Sequence, residues 1–206
     1  MNMKVLLING SPKKNGNTYT ALSEVASALD ANGIETEIVS IGTKAVQGCI
    51  ACNKCVELGR CIFKDDLYNT LRDKLGTADG LIIGSPTYYA GPNGSLCALL
   101  DRLFYSCGAL LRYKPAAAVA VCRRGGAAST FDRLNKYFTI SNMPVVSSQY
   151  WNDVRGRLPG EVLQDGEGLQ TMRVLGNNMA WMLKNLKNGG EVIPEAEPRI
   201  ATNFIR

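Results

Sequence analysis

Apolar runs of strand length alternate with helical patterns along the chain. The first run, from Val5 to Ile8, indicates a buried strand. Side chains that recur at three- and four-residue spacing from Thr18 to Leu29 predict a helix that stops at Gly33. Further strands are predicted over 35–41, 80–84 and 116–121, with a fifth that begins at Pro144-Val145-Val146, and further helices over 67–75, 96–104, 131–138 and 169–186.

This alternation indicates an α/β fold with a parallel sheet covered by helices on both faces. The 206 residues, 46% of them hydrophobic, contain no repeat or linker, so we expect one domain over 1–206. We expect this domain to include a Cys-rich insertion at 42–64 and an extended C-terminal arm at 189–206. Ligands bind such sheets beyond the carboxyl ends of the strands, so the loops after Ile8, Ile83 and Val121 are the places to look.

Composition removes several classes of function. The chain has no His, so triads, general bases and metal sites that need imidazole are excluded. The net charge of +5 is not gathered into a run, which disfavours a nucleic-acid partner. No apolar stretch approaches about 18 residues and the start lacks a signal-peptide core, so we expect no membrane association and a cytoplasmic location.

The first of the three loops, 9–18, is built to hold an anion. It offers hydroxyls, amides, small residues and a Lys at the start of a predicted helix, whose dipole favours a negative charge. Asn17 stands where a P-loop needs Lys, and the spacing is not G-x-G-x-x-G, so neither of those nucleotide motifs is present. The alternative is a polar strand-to-helix turn that binds nothing.

These loops carry a family resemblance. Gly-Ser-Pro-Lys-x-x-Gly-Asn-Thr at 10–18, Ser85-Pro86-Thr87-Tyr88-Tyr89 and Arg124-Gly125-Gly126 together resemble the flavodoxin-like NADPH-dependent FMN reductases, and within them the iron–sulfur flavoproteins. The likeness covers about residues 3–150. It implies a flavodoxin-like, doubly wound sheet of five parallel strands in the order 2-1-3-4-5, and an FMN phosphate held by Ser11, Lys13, Asn17 and Thr18.

The second and third loops suit a flat ring. The second combines an apolar floor, backbone donors and two Tyr rings, and the resemblance implies that the flavin is lined by Pro86, Thr87, Tyr88 and Asn93. In the third, glycines let the main chain approach a ring edge and a cation stabilises a reduced, anionic flavin, which favours Arg124, Gly125 and Gly126. The alternatives are Tyr side chains that only pack on the sheet and a solvated Arg pair at 123–124.

Four of the seven cysteines are crowded into the motif C-x2-C-x2-C-x5-C, formed by Cys49, Cys52, Cys55 and Cys61. Thiolates this close in sequence can surround an iron–sulfur cubane, whereas structural zinc more often uses two separated C-x2-C knuckles. The resemblance implies a [4Fe-4S] cluster here; an empty thiol loop and zinc are the alternatives. We expect Cys97, Cys107 and Cys122 to be inert buried thiols.

The leading functional hypothesis is an FMN-dependent oxidoreductase that passes electrons from NAD(P)H to a small-molecule acceptor such as a quinone or a flavin. The alternative is an electron carrier in which a [4Fe-4S] cluster and FMN link a ferredoxin-like donor to an acceptor. A third hypothesis is a non-catalytic, flavodoxin-like domain that is stabilised by zinc and binds an anion or a partner. The resemblance also implies a homodimer or homotetramer, although the Met residues and Trp181 of the last helix could equally be plain core.

Overall fold

Five parallel strands form the centre of the protein. The computed structural model describes residues 3–189, 193–195, 197–198, 200 and 202. The strands run in the order β2-β1-β3-β5-β6, and a two-residue β4 pairs antiparallel with the end of β3. Their bounds are β1 Lys4–Asn9, β2 Glu35–Ser40, β3 Gly80–Tyr88, β4 Gly91–Pro92, β5 Ala116–Cys122 and β6 Asp153–Arg155. Apart from β4, this order confirms the predicted doubly wound, flavodoxin-like sheet.

Helices cover both faces of the sheet. They are α1 Asn17–Ala31, α2 Lys54–Leu58, α3 Asp66–Thr77, α4 Gly94–Ser106, α5 Gly108–Leu111, α6 Ala127–Ile140 and α7 Gly166–Gly189, with a 3-10 helix at Glu161–Gln164. The short α2, α5 and 3-10 helices were not predicted. The Asp65 side chain caps α3 by accepting the Tyr68 N–H, and the helix runs through Gly76 to Thr77. Among the described residues, no helix combines the length and apolar character that a membrane crossing requires.

The strands supply two cores because successive side chains point to opposite faces. Leu6, Ile8 and Ile83 face α3, α4 and α6, while Val5, Leu7 and Ile82 face α1 and α7. On α7, Met172 and Met179 are fully buried and Trp181 is 66% exposed, so the Met residues are core and the Trp is not.

The prediction for the fifth strand was wrong in position. The segment at 144–146 keeps only a single bridge, between Val145 and Ala116, and the strand that pairs with β5 is Asp153–Arg155. Between them the Asn152 side chain donates to the carbonyl of Ala118 (3.1 Å), at a position where a continuous strand would use backbone groups. The edge strand is therefore split: it begins with a single bridge at Val145, and its carboxyl end is Arg155.

Part of the predicted C-terminal arm lies outside the described residues, namely 190–192, 196, 199, 201 and 203–206. Within the described part, the Tyr113 hydroxyl donates to the carbonyl of Pro194 (3.4 Å). The division of the chain into one domain, an insertion and an arm stays a prediction.

Candidate functional site

A cleft of about 630 Å³, part of it open to solvent, lies at the carboxyl edge of the sheet. Seven of the residues predicted to bind the cofactor line it: Ser11, Lys13, Asn17, Thr18, Pro86, Thr87 and Tyr88. The structure adds residues that were not predicted: Gly16, Val121, Cys122, Arg123, Gly156 and Arg157. The described lining thus has three cations and no carboxylate, so the cleft is suited to a ligand with a negative charge.

The first loop is ordered by Asn9, a fully buried side chain at the end of β1. Its Oδ1 accepts the N–H of Ser11 (3.1 Å), and its Nδ2 donates to the Ser40 hydroxyl (3.0 Å). The Ser11 hydroxyl in turn accepts the N–H of Lys13 (3.1 Å). Sequence reasoning missed this role of Asn9, although its place at a strand end was a usable signal.

Helix α1 begins beside this loop with its positive end uncompensated. Gly16 stands at the N-cap, with no side-chain hydrogen bond to the first turn and no acidic residue within that turn. The first N–H groups of a helix have no partner inside the helix, and the dipole concentrates positive charge there. With Lys13 nearby, this end is equipped to hold a phosphate.

The second loop is a tight hairpin between β3 and β4. Its two turn residues, Tyr89 and Ala90, both have positive φ (49° and 57°), a conformation that non-glycine residues seldom adopt. Gly126 of the third loop, with φ +85°, packs directly on this hairpin. A Cβ at Gly126 would lie 2.8 Å from the Ala90 Cα and 3.0 Å from the Thr87 Cγ2. The hairpin and the third loop therefore fit together only with glycine at this position.

Four of the predicted residues lie beside the cleft and not in its lining. Asn93 is buried and caps α4: its Oδ1 accepts the Ser95 N–H (3.0 Å) and its Nδ2 donates to the Gly10 carbonyl (2.8 Å). Arg124 and Gly126 line a neighbouring pocket with Tyr150 and Trp151, and Gly125 is exposed. Arg123, and not Arg124, is the arginine of the third loop that reaches the cleft.

The far wall of the cleft is Gly156-Arg157, directly after β6. The Asn17 side chain ties this segment to α1, since its Nδ2 donates to the Leu158 carbonyl (2.9 Å) and its Oδ1 accepts the Gly160 N–H (3.0 Å). Glu161 accepts the N–H groups of Leu158 and Arg157, and these bonds lower the pKa of its carboxyl. This wall was not predicted from the sequence, because it directly follows β6 and the prediction started the fifth strand at 144–146.

The four cysteines of the insertion line one common cavity. The loop that carries three of them is bent by positive φ at Ala51 and Asn53, and the Ala51 N–H donates to the Cys49 sulfur (3.5 Å). Burial raises the pKa of the Cys55 thiol, and the charges of the other three cysteines act in the same direction. Within the described residues, however, no three His, Cys, Asp or Glu side chains are gathered closely enough to hold a metal ion.

Cys61 is fixed more firmly than the other three. Its sulfur accepts a hydrogen bond from Arg102 Nε (3.3 Å), and its N–H donates to the Tyr68 hydroxyl (2.9 Å). Arg102 and Tyr68 are both buried, whereas Cys49 and Cys52 are exposed.

The remaining three cysteines do not line this cavity, although the Cys107 sulfur lies 3.6 Å from the hydroxyl of Ser106, which does. Cys107 and Cys122 are buried and Cys97 is half-buried. Burial raises the pKa of the Cys97 and Cys122 thiols.

Comparison with known proteins now decides the family. The family model described as NADPH-dependent FMN reductase matches residues 3–156, three quarters of the chain and all three cleft-forming loops. The chain belongs to the NADPH-dependent FMN reductase family. As a member, it is a flavoprotein of the FMN-dependent oxidoreductase class, as the loops predicted.

Two relatives confirm the expected subgroup. An iron–sulfur flavoprotein of Methanocaldococcus jannaschii is 39% identical over 193 residues, covering 90% of this chain and 100% of the relative. An iron–sulfur flavoprotein of Methanosarcina thermophila is 31% identical over 180 residues, covering 82% and 90%. The fold is also similar to that of a solved flavodoxin, WrbA-like protein from Agrobacterium tumefaciens, with a TM-score of 0.61, 17% identity, and coverage of 90% and 99%.

The residues present fit both groups that this reductase family and its iron–sulfur members suggest. The uncompensated start of α1 and the three cations of the cleft suit a phosphate, and Pro86, Val121 and the Tyr88 ring supply apolar surface for a flat ring system. The cysteine cavity offers four thiols, one cation and no carboxylate among its described lining residues. Such a donor set suits an anionic iron–sulfur cluster.

Proposed function

We propose that this FMN reductase family member binds FMN in the cleft at the carboxyl edge of the sheet. The phosphate sits at the start of α1, where Ser11, Lys13, Asn17 and Thr18 converge, and Arg157 closes the far side. The ring lies between the hairpin residues 86–88 and the third loop, with Gly125 and Gly126 close to its edge and Asn93 as a support behind the loop. Arg123 replaces Arg124 in this proposal as the cation that faces the ring, because Arg123 lines the cleft.

We further propose that Cys49, Cys52, Cys55 and Cys61 hold a [4Fe-4S] cluster. The observation that carries this proposal is the shared cavity of the four thiols, with the buried Arg102 at its wall. A tetrahedral zinc with Zn–S bonds of about 2.3 Å draws its ligand sulfurs to about 3.8 Å from one another, whereas a cubane holds each thiolate on a separate iron and spaces the sulfurs more widely. The compact C-x2-C-x2-C-x5-C spacing therefore favours the cubane, because structural zinc more often uses two separated C-x2-C knuckles.

The function that the geometry supports best is an oxidoreductase in which both groups take part. Bound FMN supplies electron transfer, as a hydride or as two single electrons, and the cluster supplies single-electron transfer. In this proposal a ferredoxin-like donor delivers electrons that reach an acceptor through the cluster and FMN. The chain's own residues bind, orient and tune these groups, which is consistent with a protein that contains no His.

A second candidate is favoured by the description of the family itself: NAD(P)H reduces FMN directly, and a quinone or a free flavin is the acceptor. Part of the cleft is open to solvent, which in this proposal is the side from which NAD(P)H approaches the flavin. The non-catalytic zinc module of the third hypothesis is disfavoured, because it leaves the cleft residues without a role.

The two candidates are separated by anaerobic stopped-flow reduction of the holoprotein. Reduced ferredoxin should reduce FMN quickly in the wild type and slowly in Cys49→Ser, which removes a cavity thiol. Cys97→Ser is the matched control, since Cys97 lies on α4 outside the cavity, and it should behave as the wild type. Rapid reduction by NADPH in all three proteins, with no dependence on Cys49, would assign the protein to the second candidate.

Self-association belongs to the proposal as well. A homodimer or homotetramer would cover apolar side chains that the single chain leaves exposed, namely Ile50, Val56, Leu58, Trp151 and Trp181. The proposal keeps a cytoplasmic location and no nucleic-acid or membrane partner. Light scattering of the purified protein tests the assembly, and a monomer at micromolar concentration would contradict it.

A further inference from the structure

Arg102 is the largest fully buried side chain of the described residues, with 1% of its surface exposed. It projects from α4, a core helix that the Cys-rich insertion packs against. Charged side chains are almost never fully buried unless they are paired, because removal from water penalises the ion strongly. The structure must therefore contain groups that hold this guanidinium in place.

Among the described residues, every hydrogen-bond acceptor of the Arg102 side chain belongs to the segment 47–65. Nε donates to the Cys61 sulfur (3.3 Å), and the terminal nitrogens donate to the carbonyls of Gln47 and Phe63 (3.2 Å each) and to the Asp65 carboxylate. The guanidinium also lies over the rings of Tyr68 (4.8 Å) and Phe63 (5.4 Å). One core side chain thus ties both ends of the insertion to the sheet domain.

Neighbouring side chains fix the four cysteines to different degrees. Cys61 is clamped through its sulfur by Arg102 and through its N–H by Tyr68, whose hydroxyl is itself bonded to Ser106 (2.6 Å). The other cysteines belong to the loop 49–55, where Tyr105 contributes a hydrogen bond to Asn53 (3.0 Å). Cys61 is therefore the preformed corner of the site.

The charge on Arg102 has an electrostatic consequence as well. Asp65, its carboxylate partner, has a side chain that is 43% exposed and partly screened by water, whereas the guanidinium is not exposed. A cluster bound by four thiolates is anionic, and one-electron reduction adds another negative charge. A buried cation that donates to one ligand sulfur stabilises the reduced form more than the oxidised form.

We infer that Arg102 is the positioning residue of the cluster site: it preforms the Cys61 corner and raises the reduction potential of the cluster bound there. The inference rests on the proposed [4Fe-4S] site and adds to it a residue far from the cysteine motif in sequence. The inference also implies that Asp65 lowers the reduction potential, since its negative charge offsets part of the positive charge of the guanidinium.

The test is the cluster reduction potential, measured by anaerobic redox titration of iron-loaded full-length protein. Arg102→Gln removes the cation and should lower the potential, while Asp65→Asn removes the neighbouring anion and should raise it. Asn is as good a helix N-cap as Asp, so α3 keeps its cap in that variant. Arg102→Lys keeps the charge and should restore most of the potential that Arg102→Gln loses.

Arg60→Gln is the matched control, because Arg60 precedes Cys61 in sequence but is exposed, so water screens its charge. Its potential should stay close to that of the wild type. A purely structural role for Arg102 predicts shifts of the same sign in Arg102→Gln and Asp65→Asn, or none, and either result overturns the inference.

The same experiment distinguishes a failure of this inference from a failure of the proposed [4Fe-4S] site on which it rests. Iron-loaded variants with an unchanged potential would overturn the role of Arg102 and leave the cluster site standing. A wild type that takes up no iron under anaerobic reconstitution would overturn both. Should Arg102→Gln fail to load iron, the Asp65→Asn variant decides alone: an upward shift supports the inference, and no shift or a downward one refutes it.

Discussion

Substitution of Gly126 by Ala should loosen the flavin cleft through a single added methyl group. Gly126 has φ +85°, and an ideal Cβ there lies 2.8 Å from the Ala90 Cα and 3.0 Å from the Thr87 Cγ2. Left-handed backbone costs a residue with a Cβ about 1–2 kcal/mol, and forced overpacking costs about 1–3 kcal/mol more. The total is about 2–5 kcal/mol, within the range that a domain with about 5–15 kcal/mol of stability can survive.

The cheapest relief is local, because the hairpin at 87–90 can move away from the third loop while the sheet stays intact. The variant should therefore lose stability and also bind FMN more weakly. For a chain of this size, 1 kcal/mol shifts the melting temperature by about 2–4 °C, so the FMN-free protein should melt about 4–20 °C lower. Calorimetry measures the melting, and quenching of flavin fluorescence measures FMN affinity.

Gly125→Ala is the internal control. Gly125 is exposed, its φ does not lie in the positive region, and a Cβ there meets nothing within 4 Å. Its stability should stay within about 0.5 kcal/mol of the wild type. Equal melting temperatures of the two FMN-free Ala variants would refute the packing of the third loop against the hairpin, and with it this wall of the cleft.

Three further predictions follow from other contacts. Lys13→Gln and Arg157→Gln should each weaken FMN binding by about tenfold, the loss of one charge-assisted hydrogen bond, but leave riboflavin binding unchanged; an equal loss for riboflavin would mean that neither side chain faces the phosphate. Tyr68→Phe leaves the Cys61 N–H without its acceptor and should cost about 1–3 kcal/mol in urea unfolding, and a loss below 0.5 kcal/mol, on the order of an ordinary surface change, would argue against that bond. Hydrogen bonds from Lys74 and Lys4 lower the pKa of Glu37, so its stabilising effect is present above pH 4.5 and is lost as the pH falls through the lowered pKa; Glu37→Gln should flatten this part of the urea-measured stability profile, and an unchanged profile would contradict the assignment.

The sequence was sufficient for features that depend on local pattern. Alternating side chains such as Leu6 and Leu7 specify the two faces of a buried strand, and parallel strands bring their carboxyl ends together. That is why residues as distant as Ser11 and Thr87 could be predicted to meet, and the structure places both in one cleft.

The sequence could not predict features that change when a strand end moves by a single residue. Arg123 and Arg124 are equivalent in sequence, and the side that each faces depends on the end of β5 at Cys122. The wall at Arg157 depends on where the split edge strand resumes after Asn152. Local propensity carries no information about either position, because contacts across the sheet decide them.

Arg102 shows a different limit of prediction from sequence. An Arg within an amphipathic helix normally extends into water, and no pattern on α4 distinguishes this one. Its burial follows from a segment that begins some fifty residues earlier and folds over it, with Gln47, Cys61 and Asp65 as its acceptors. Only the tertiary structure brings those partners together.

The central claim, that one chain carries both FMN and a four-cysteine cluster, is tested most directly by cofactor counts on protein purified without oxygen. An absorption spectrum with flavin and iron assays should give about one FMN and about four irons per chain, in a brown protein. Flavin without iron after anaerobic reconstitution would contradict the cluster, and protein that binds neither would contradict the account as a whole.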